Sequence, residues 1–419
     1  MQARALTPIA LALLVVVFVC LLFARPATTL PPDFTDSLVT DFPAPTALGF
    51  TPDGRMLVTS KSGQLWAYEN GQKTQALDID SDVCSNSERG LLGVAVDPDF
   101  GPTGNNYVYL YYTFNKHGAC PQDKPARNDN PVNRVARYVL SDANVASFDK
   151  VLIDNIPSPN GNHNAGDLKF GKDEYLYISV GDGGCNYKKP SRCQYENAAS
   201  RHRNVLLGKI LRITPDGDIP PDNPFIDPED SRRCNVDGRT VRGKDCRETF
   251  VRGFRNPFRI AFDPDADATS FRINDVGGQR WEEIDQAQSG ADYGWNLCEG
   301  RHDNPERRGR VNCDGSRYTG PIHEYNHDMG CQSITGGAFV PDGSWPTSYD
   351  DAYLFSDFVC GKIFSLTPDG GGGFNREQFA DVPGGPVAMT FGPYQTGEAL
   401  YYTTFAGGGQ VRRIAYTGP

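Results

Sequence analysis

The sequence predicts an all-β fold, a six-bladed β-propeller, and three observations carry that expectation. An apolar strand, a turn built in most copies on Pro-Asp, and a second apolar strand recur six times along the 419 residues. Several copies are followed by a further short strand, so each unit reads as a small antiparallel sheet with one apolar face. Glycine and proline, 45 and 31 residues, make up about 18% of the chain against an ordinary share of roughly 12%, which suits many turns and few long helices. Such a sheet cannot bury its apolar face alone, and its repetition is the sequence sign of a ring of blades. A β-sandwich also offers hairpins, but six copies of one hairpin-plus-strand exceed what it normally holds.

The copies come in order. The first is LGFTPDGRMLVTS from Leu48, with GQLWAY from Gly63 as its further strand. VAVDPDFGPTGNNYVYLYYT follows from Val94. LKFGKDEYLYISVGD, from Leu168, is a looser copy, extended by GKILRIT from Gly208. IAFDPDADATSFRINDVG starts at Ile260, and GAFVPDGSWPTSYDDAYLFSD at Gly337 is extended by GKIFSLT from Gly361. MTFGPYQTGEALYYTTF from Met389 and GQVRRIAY from Gly409 complete the series. Six copies imply six blades over residues 35–419, with N- and C-terminal strands closing the ring. Two long polar loops that carry cysteines, residues 115–133 and 216–250, interrupt the spacing. Long ordered loops on one face of a rigid scaffold are where sites tend to lie, and the second is expected to wall the site.

Residues 1–30 stand apart. Arg4 precedes an apolar run over residues 9–24, short for a spanning helix and suited to the core of a signal peptide. The exit, Phe23-Ala24-Arg25-Pro26, is a poor small-residue cleavage site, so an uncleaved N-terminal membrane anchor is the other reading. Both put the protein outside the cytoplasm: secreted, periplasmic or anchored to the outer face of the membrane. Cysteine usage agrees. Apart from Cys20, ten cysteines remain and none forms Cys-x-x-Cys, which reads as disulfides rather than zinc or thioredoxin-type chemistry. Cys185–Cys193, Cys234–Cys246 and Cys298–Cys313 are expected as local pairs, with the connectivity otherwise open. A net charge of −11 without a basic run argues against nucleic acid and anionic membrane surfaces as partners.

Four segments cluster polar residues beyond what turns need. GNHNAGDLKFGKDEYLYISVGDGG, residues 161–184, holds His163, Asp167 and Asp182. Histidine titrates near neutral pH and serves as a general base, and a carboxylate one strand away can orient its ring. The bland alternative is a loop histidine and a turn aspartate. VRGFRNPFRIAF places Arg252, Arg255 and Asn256 before a strand. Residues 274–296, NDVGGQRWEEIDQAQSGADYGWN, crowd Asp275, Glu282, Glu283, Asp285 and Asp292 among glycines. Carboxylate and backbone carbonyl oxygens are calcium ligands, so this stretch reads as a calcium site, with a solvated acidic turn as the alternative. In GPIHEYNHDMGCQSITGGAF, HEYNH matches His-Glu-x-x-His. That motif binds zinc only on a helix, where both histidines share a face. Gly320-Pro321 just before it, Asp-Met-Gly just after it and Ser333 at the third-ligand position make it a coincidence in a loop.

Taken together, ERGLLGVAVDPDF, HNAGDLKF…YLYISVGDGG, LLGKILRI, GFRNPFRIAFDP, WEEID…GADYGWN and SITGGAF resemble the glucose/sorbosone dehydrogenase family, the soluble quinoprotein aldose dehydrogenases. The resemblance runs from about Phe42 to Tyr416. It implies a six-bladed propeller that binds pyrroloquinoline quinone (PQQ) and calcium on one face, oxidises the anomeric carbon of aldose sugars and hands electrons to an acceptor. It implies His163 as the base, Asp182 as its partner, and Arg255 and Asn256 near the quinone oxygens. Carbonyls of Gly277 and Gly278 match the ligands of the calcium that polarises PQQ, and Glu283 and Tyr293 match a second, structural calcium site. A base, a cationic clamp and a Lewis acid would converge on hydride transfer.

The chain also resembles the propeller of hedgehog-interacting-protein-like proteins, and it departs from the dehydrogenase pattern in that direction. Dehydrogenases usually read Gly-Gly-Arg-Leu after the base; here Ala165-Gly166-Asp167-Leu168 puts an acid beside a tricarboxylate cofactor. Val359 and Cys360 replace a lysine and an arginine in the fifth blade, and ADVPGGPVAMTF offers no basic residue for another clamp. Fewer cations would weaken PQQ binding, since each charge-assisted contact contributes about 1.5–3 kcal/mol. The alternative function is therefore a non-catalytic, disulfide-stabilised propeller that binds a saccharide or protein partner.

Overall fold

The computed structural model describes residues 30–418 except 119, 122–129, 305–310, 314 and 383. The expected signal peptide or anchor, residues 1–30, lies outside the described residues apart from Leu30. Helix among the described residues is confined to six three-residue 3₁₀ turns. The rest of the regular structure is strand, as the alternation of short β-rich runs and Gly/Pro turns requires.

Six four-stranded antiparallel sheets form the blades. Blade one is Pro45–Phe50, Met56–Ser60, Gln64–Glu69 and Gln72–Asp78. Blade two is Leu91–Val96, Tyr107–Phe114, Val132–Leu140 and Ala146–Pro157. Blade three is Leu168–Phe170, Leu176–Val180, Lys209–Ile213 and Thr249–Arg252. Blade four is Pro257–Phe262, Phe271–Asp275, Trp281–Gln286 and His323–Asn326. Blade five is Ile334–Phe339, Tyr353–Asp357, Lys362–Pro368 and Phe374–Asp381. Blade six is Pro386–Tyr394, Gly397–Thr404 and Gln410–Tyr416, and its fourth strand is the N-terminal Phe34–Asp41, paired from Phe34↔Tyr416 to Asp41↔Gln410.

The first strand of each blade touches the first strand of the next, and the sixth touches the first. These six strands therefore line the axis. Six buried apolar clusters, one at each blade interface, hold the ring together. Burying such faces is the main favourable term, roughly 25 cal/mol per Å² of apolar surface. Five disulfides tie down loops. The three local pairs expected from the sequence form, and Cys84–Cys120 and Cys331–Cys360 join residues 36 and 29 apart.

Phe34 shows how the closing strand grips its neighbour. Its ring is 4.8 Å from that of Trp345, 5.2 Å from Phe379 and 5.4 Å from Tyr349, all in blade five or its loops. Phe34→Ala should cost about 3–5 kcal/mol, the usual range for emptying a buried aromatic site. A lower urea midpoint at unchanged slope checks this; an unchanged midpoint would mean that the closing strand is not part of the cooperative fold.

Candidate active site

The chain enters each innermost strand at the same end of the ring, and the entering segments carry the polar residues. They enclose a cavity of about 440 Å³, within the range of small-molecule sites. Its wall draws on every blade: Thr46 and Lys61 from blade one, Leu92 from two, His163 and Ala165 from three, Arg255, Asn256 and Arg259 from four, Thr335 from five and Val387 from six.

His163 sits in the loop that leads into blade three, with a left-handed φ of 55°. Its amide donates to Glu88 Oε2 at 2.7 Å, and its carbonyl accepts the Gly183 N–H at 3.1 Å. A Cβ on Gly181 would stand 2.1 Å from that carbonyl, so only glycine lets the strand end pass so close. Asp182 follows the next strand of the same blade. Its Oδ1 is 2.7 Å from His163 Nδ1 and also accepts the Gly184 N–H at 2.7 Å, while Oδ2 accepts Trp295 Nε1–H at 2.8 Å. The ionised carboxylate only accepts, so His163 Nδ1 carries the proton and Nε2 is the ring atom left for a substrate. Both side chains are buried, His163 at 3% exposure and Asp182 at none.

Arg255 and Asn256 lead into blade four. Their amides donate to the two oxygens of Asp275 at 2.9 and 2.6 Å. The Arg255 carbonyl accepts the Asp182 N–H at 2.8 Å, which locks this segment to the His163 pair. The Arg255 guanidinium donates to the Val276 carbonyl at 3.0 Å and lies over the Trp295 ring. The Asn256 side-chain oxygen accepts the Ala165 N–H at 3.1 Å. Gly277 and Gly278 form the adjoining wall. A Cβ on Gly277 would collide with the Trp281 carbonyl at 1.6 Å. The Gly277 amide donates to Glu282, and one oxygen of Glu299 accepts four successive amides, Gly278 to Trp281, at 2.8–3.0 Å. Those bonds hold the Glu299 carboxyl below its usual range against its burial.

Behind Arg255 lies a cluster of buried acids. Asp275 pairs with Glu283 across neighbouring strands, and Asp285 shares their electrostatic environment. Burial pushes Asp275 up to about 7, opposed by the two amide bonds. Glu283 and Asp285 are pushed well above the carboxylate range, by burial first and then by the neighbouring acids. Among the described residues, Glu283 accepts only the Gly300 N–H, and both oxygens of the fully buried Asp285 have no hydrogen-bond partner. Orphaned buried carboxylate oxygens beside like charges are a donor set suited to a hard divalent cation. Tyr293 is buried nearby, its hydroxyl donating to the Gln286 carbonyl at 2.5 Å.

The cavity thus gathers His163, Arg255, Asn256, Gly277 and Gly278, with Asp182 directly behind His163. Glu283 and Tyr293 do not line it. Three expectations need correction. Asp167 is not beside the cavity: its oxygens accept the Leu168 and Ile260 amides at 3.1 and 2.9 Å. Nor is the cavity poor in cations, because Lys61 and Arg259 line it together with Arg255. Residues 216–250 do not wall it. They pack on the outer side of blades two and three, where Asp154 N–H donates to the Asn235 carbonyl and Asn223 donates to the Arg212 carbonyl, and they run into the outer strand of blade three. HEYNH lies largely in a strand, His323–Asn326, with His327 bonded to Glu282 at 2.8 Å, so it cannot form the helical zinc site. Lys61, Glu88, Arg259 and Glu299 were missed: Lys61 and Glu299 sit in stretches that read as plain turns, while Glu88 and Arg259 lie inside quoted motifs from which other residues were chosen.

Comparisons with known proteins agree with the fold. The family model for glucose/sorbosone dehydrogenase matches residues 42–380. The chain is 26% identical to the HIPL2 protein of Arabidopsis thaliana, over 84% of this chain and 57% of that protein. It is 30% identical to aldose sugar dehydrogenase YliI of Escherichia coli, over 66% of this chain and 64% of that protein. It therefore spans less than two thirds of each. The PQQ-bound form of aldose sugar dehydrogenase from Streptomyces coelicolor superposes with a TM-score of 0.66 at 21% identity, covering 92% of this chain and 99% of that one.

Asp285→Asn removes a carboxyl that, without a cation, must take up a proton or be buried charged on folding, and whose oxygens have no hydrogen-bond partner among the described residues. The variant should melt about 1–2 °C higher than the parent in chelator, the shift expected for roughly 1 kcal/mol in a ring of this size. Calcium should raise the melting temperature of the parent but not of the variant. A parent indifferent to calcium would remove the cation reading of this cluster.

Proposed function

The chain belongs to the glucose/sorbosone dehydrogenase family, and from that premise we propose that it oxidises the anomeric carbon of aldose sugars with PQQ and calcium. The observation that carries the reading is the His163–Asp182 pair, 2.7 Å apart, locked by backbone bonding to Arg255 at one cavity. Arg255 and Asn256 would hold the quinone, and carbonyls of Gly277 and Gly278 would hold a calcium ion beside it. When bound, PQQ supplies the two-electron hydride acceptor that the side chains lack. His163 Nε2 takes the proton of the anomeric hydroxyl. Asp182 keeps Nδ1 protonated and stabilises the imidazolium that results. The sugar loses a hydride and a proton and leaves as the lactone, and an external acceptor removes the electrons. Glu283, Asp285 and Tyr293 would hold a second, structural calcium. Five disulfides support an oxidising, extracytoplasmic setting for this work.

A second reading, a propeller that binds a saccharide or protein without redox chemistry, has its own observation. Where glucose-oxidising members are expected to carry a lysine and an arginine, this chain has Val359, 54% exposed, and Cys360, bound to Cys331. Phe358 at 40% exposure also lines the cavity, which gives its rim an apolar character.

Purified protein given PQQ and calcium should reduce a redox dye with an aldose. His163→Ala should lower that rate by about 10²–10⁴-fold, the usual contribution of a general base, with PQQ affinity nearly unchanged. Arg255→Ala should instead weaken PQQ binding first, by about 10–100-fold. Dye reduction absent with every aldose, in protein that binds PQQ, would favour the second reading.

A further inference from the structure

We propose that Arg259 is the anion anchor of the central cavity, holding a carboxylate of the bound ligand. The inference deepens the quinoprotein reading and rests on it only for the identity of the ligand. Arg259 lies in the innermost strand of blade four, three residues further along it than Asn256. Its Nη2 donates to the Thr46 carbonyl at 2.5 Å. Thr46 belongs to the innermost strand of blade one, the blade opposite in a ring of six. The side chain therefore spans the axis and closes the channel beside the cavity it lines.

What makes this arginine unusual is what it is not paired with. It is 4% exposed, and among the described residues its guanidinium donates only to two backbone carbonyls, those of Thr46 and Phe258, and Nε has no hydrogen-bond partner. A buried arginine ordinarily meets a carboxylate, because an uncompensated buried charge is costly. The acid that acts on it electrostatically is Asp167, and both Asp167 oxygens are already taken by the Leu168 and Ile260 amides. Burial accordingly holds Arg259 below its ordinary value in spite of Asp167. A guanidinium kept charged, desolvated and only partly bonded at a cavity wall is a ready site for a planar carboxylate, which it can grip with two N–H groups. The resemblance puts a cation at position 167, in blade three. The structure offers one from the next blade instead, with Asp167 turned to the backbone.

The test uses two probes on the calcium-loaded protein: PQQ, and benzene-1,3,5-tricarboxylate as a quinone-free tricarboxylate. Affinity is read by titration calorimetry and by the shift in melting temperature. Parent protein should bind at least one probe, and Arg259→Met should bind it about 10–100-fold more weakly. Arg259→Lys, which keeps the charge and loses the fork, should fall between. Circular dichroism of each variant without probe checks that the ring has formed, and if Arg259→Met does not fold, the comparison rests on Arg259→Lys against the parent. Equal affinity of folded parent and variant for a probe would overturn the inference and leave Arg259 as a channel plug. Failure of both probes to bind the parent would overturn it as well. Probe binding that depends on Arg259, without oxidation of any aldose, would sustain the anchor while the dehydrogenase reading fails.

Discussion

The pairing of Phe34–Asp41 with Gln410–Tyr416 is the constraint on which the rest of the molecule depends. Each blade has two apolar faces, and each face is buried only against a neighbour. The apolar clusters fall at six interfaces, a number reached only when the last blade meets the first. An open array of the same blades would leave two faces in water. Supplying the outer strand of blade six from the N-terminus makes closure a matter of strand hydrogen bonds as well as packing. The cavity inherits this dependence, because its wall takes residues from every blade and Arg259 bonds across the axis.

Closure also decides where charge can be kept. The cavity holds Lys61, Arg255 and Arg259 against one carboxylate, Glu88, which is engaged by the His163 amide. Behind Arg255 the signs reverse, with Asp275, Glu283 and Asp285 buried together. Asp275 belongs to both regions, since it carries the Arg255 and Asn256 amides on one side and repels Glu283 and Asp285 on the other. Opposite charges left side by side would have neutralised one another. Held apart by the rigid strand ends, the cationic wall favours an anion and the acidic cluster a cation, each relieving a desolvation cost that folding alone leaves standing.

The fold was legible because its unit repeats: each copy presents the same strand, turn and strand, and local pattern is all that such a reading needs. His163, Asp182, Arg255 and Asn256 were legible for a related reason. They occupy the entry or exit of a strand, where a polar residue serves no packing purpose. Lys61 and Arg259 were not. Lys61 lies in Lys-Ser-Gly, which reads as an ordinary hairpin turn, and Arg259 lies in Phe-Arg-Ile-Ala-Phe, where alternation implies a solvent-facing side chain. That the outward face of an innermost strand meets a channel is a fact of closure, invisible to a short window. Cys84–Cys120 and Cys331–Cys360 were open for the same reason, since their partners come together only through the blades. Asp167 misled in the opposite way. Its position in the motif pointed to the ligand, but two amides claim its oxygens.

These outcomes separate two kinds of functional requirement. A base of the kind proposed needs a defined hydrogen bond: His163 would have to meet Asp182 in one tautomer, and the two lie 2.7 Å apart, drawn from one blade and one short stretch of chain. An electrostatic clamp needs only positive charge within reach of the ligand, and the field of a cation in a low-dielectric cavity falls slowly with distance. Six strands converge on one axis, so an arginine from blade four or a lysine from blade one can serve where a third-blade residue is expected. A missing cation at one motif position is therefore weak grounds for reading a propeller of this family as inert. Loss of the histidine or of its carboxylate would be strong grounds, because no neighbouring blade can supply that bond.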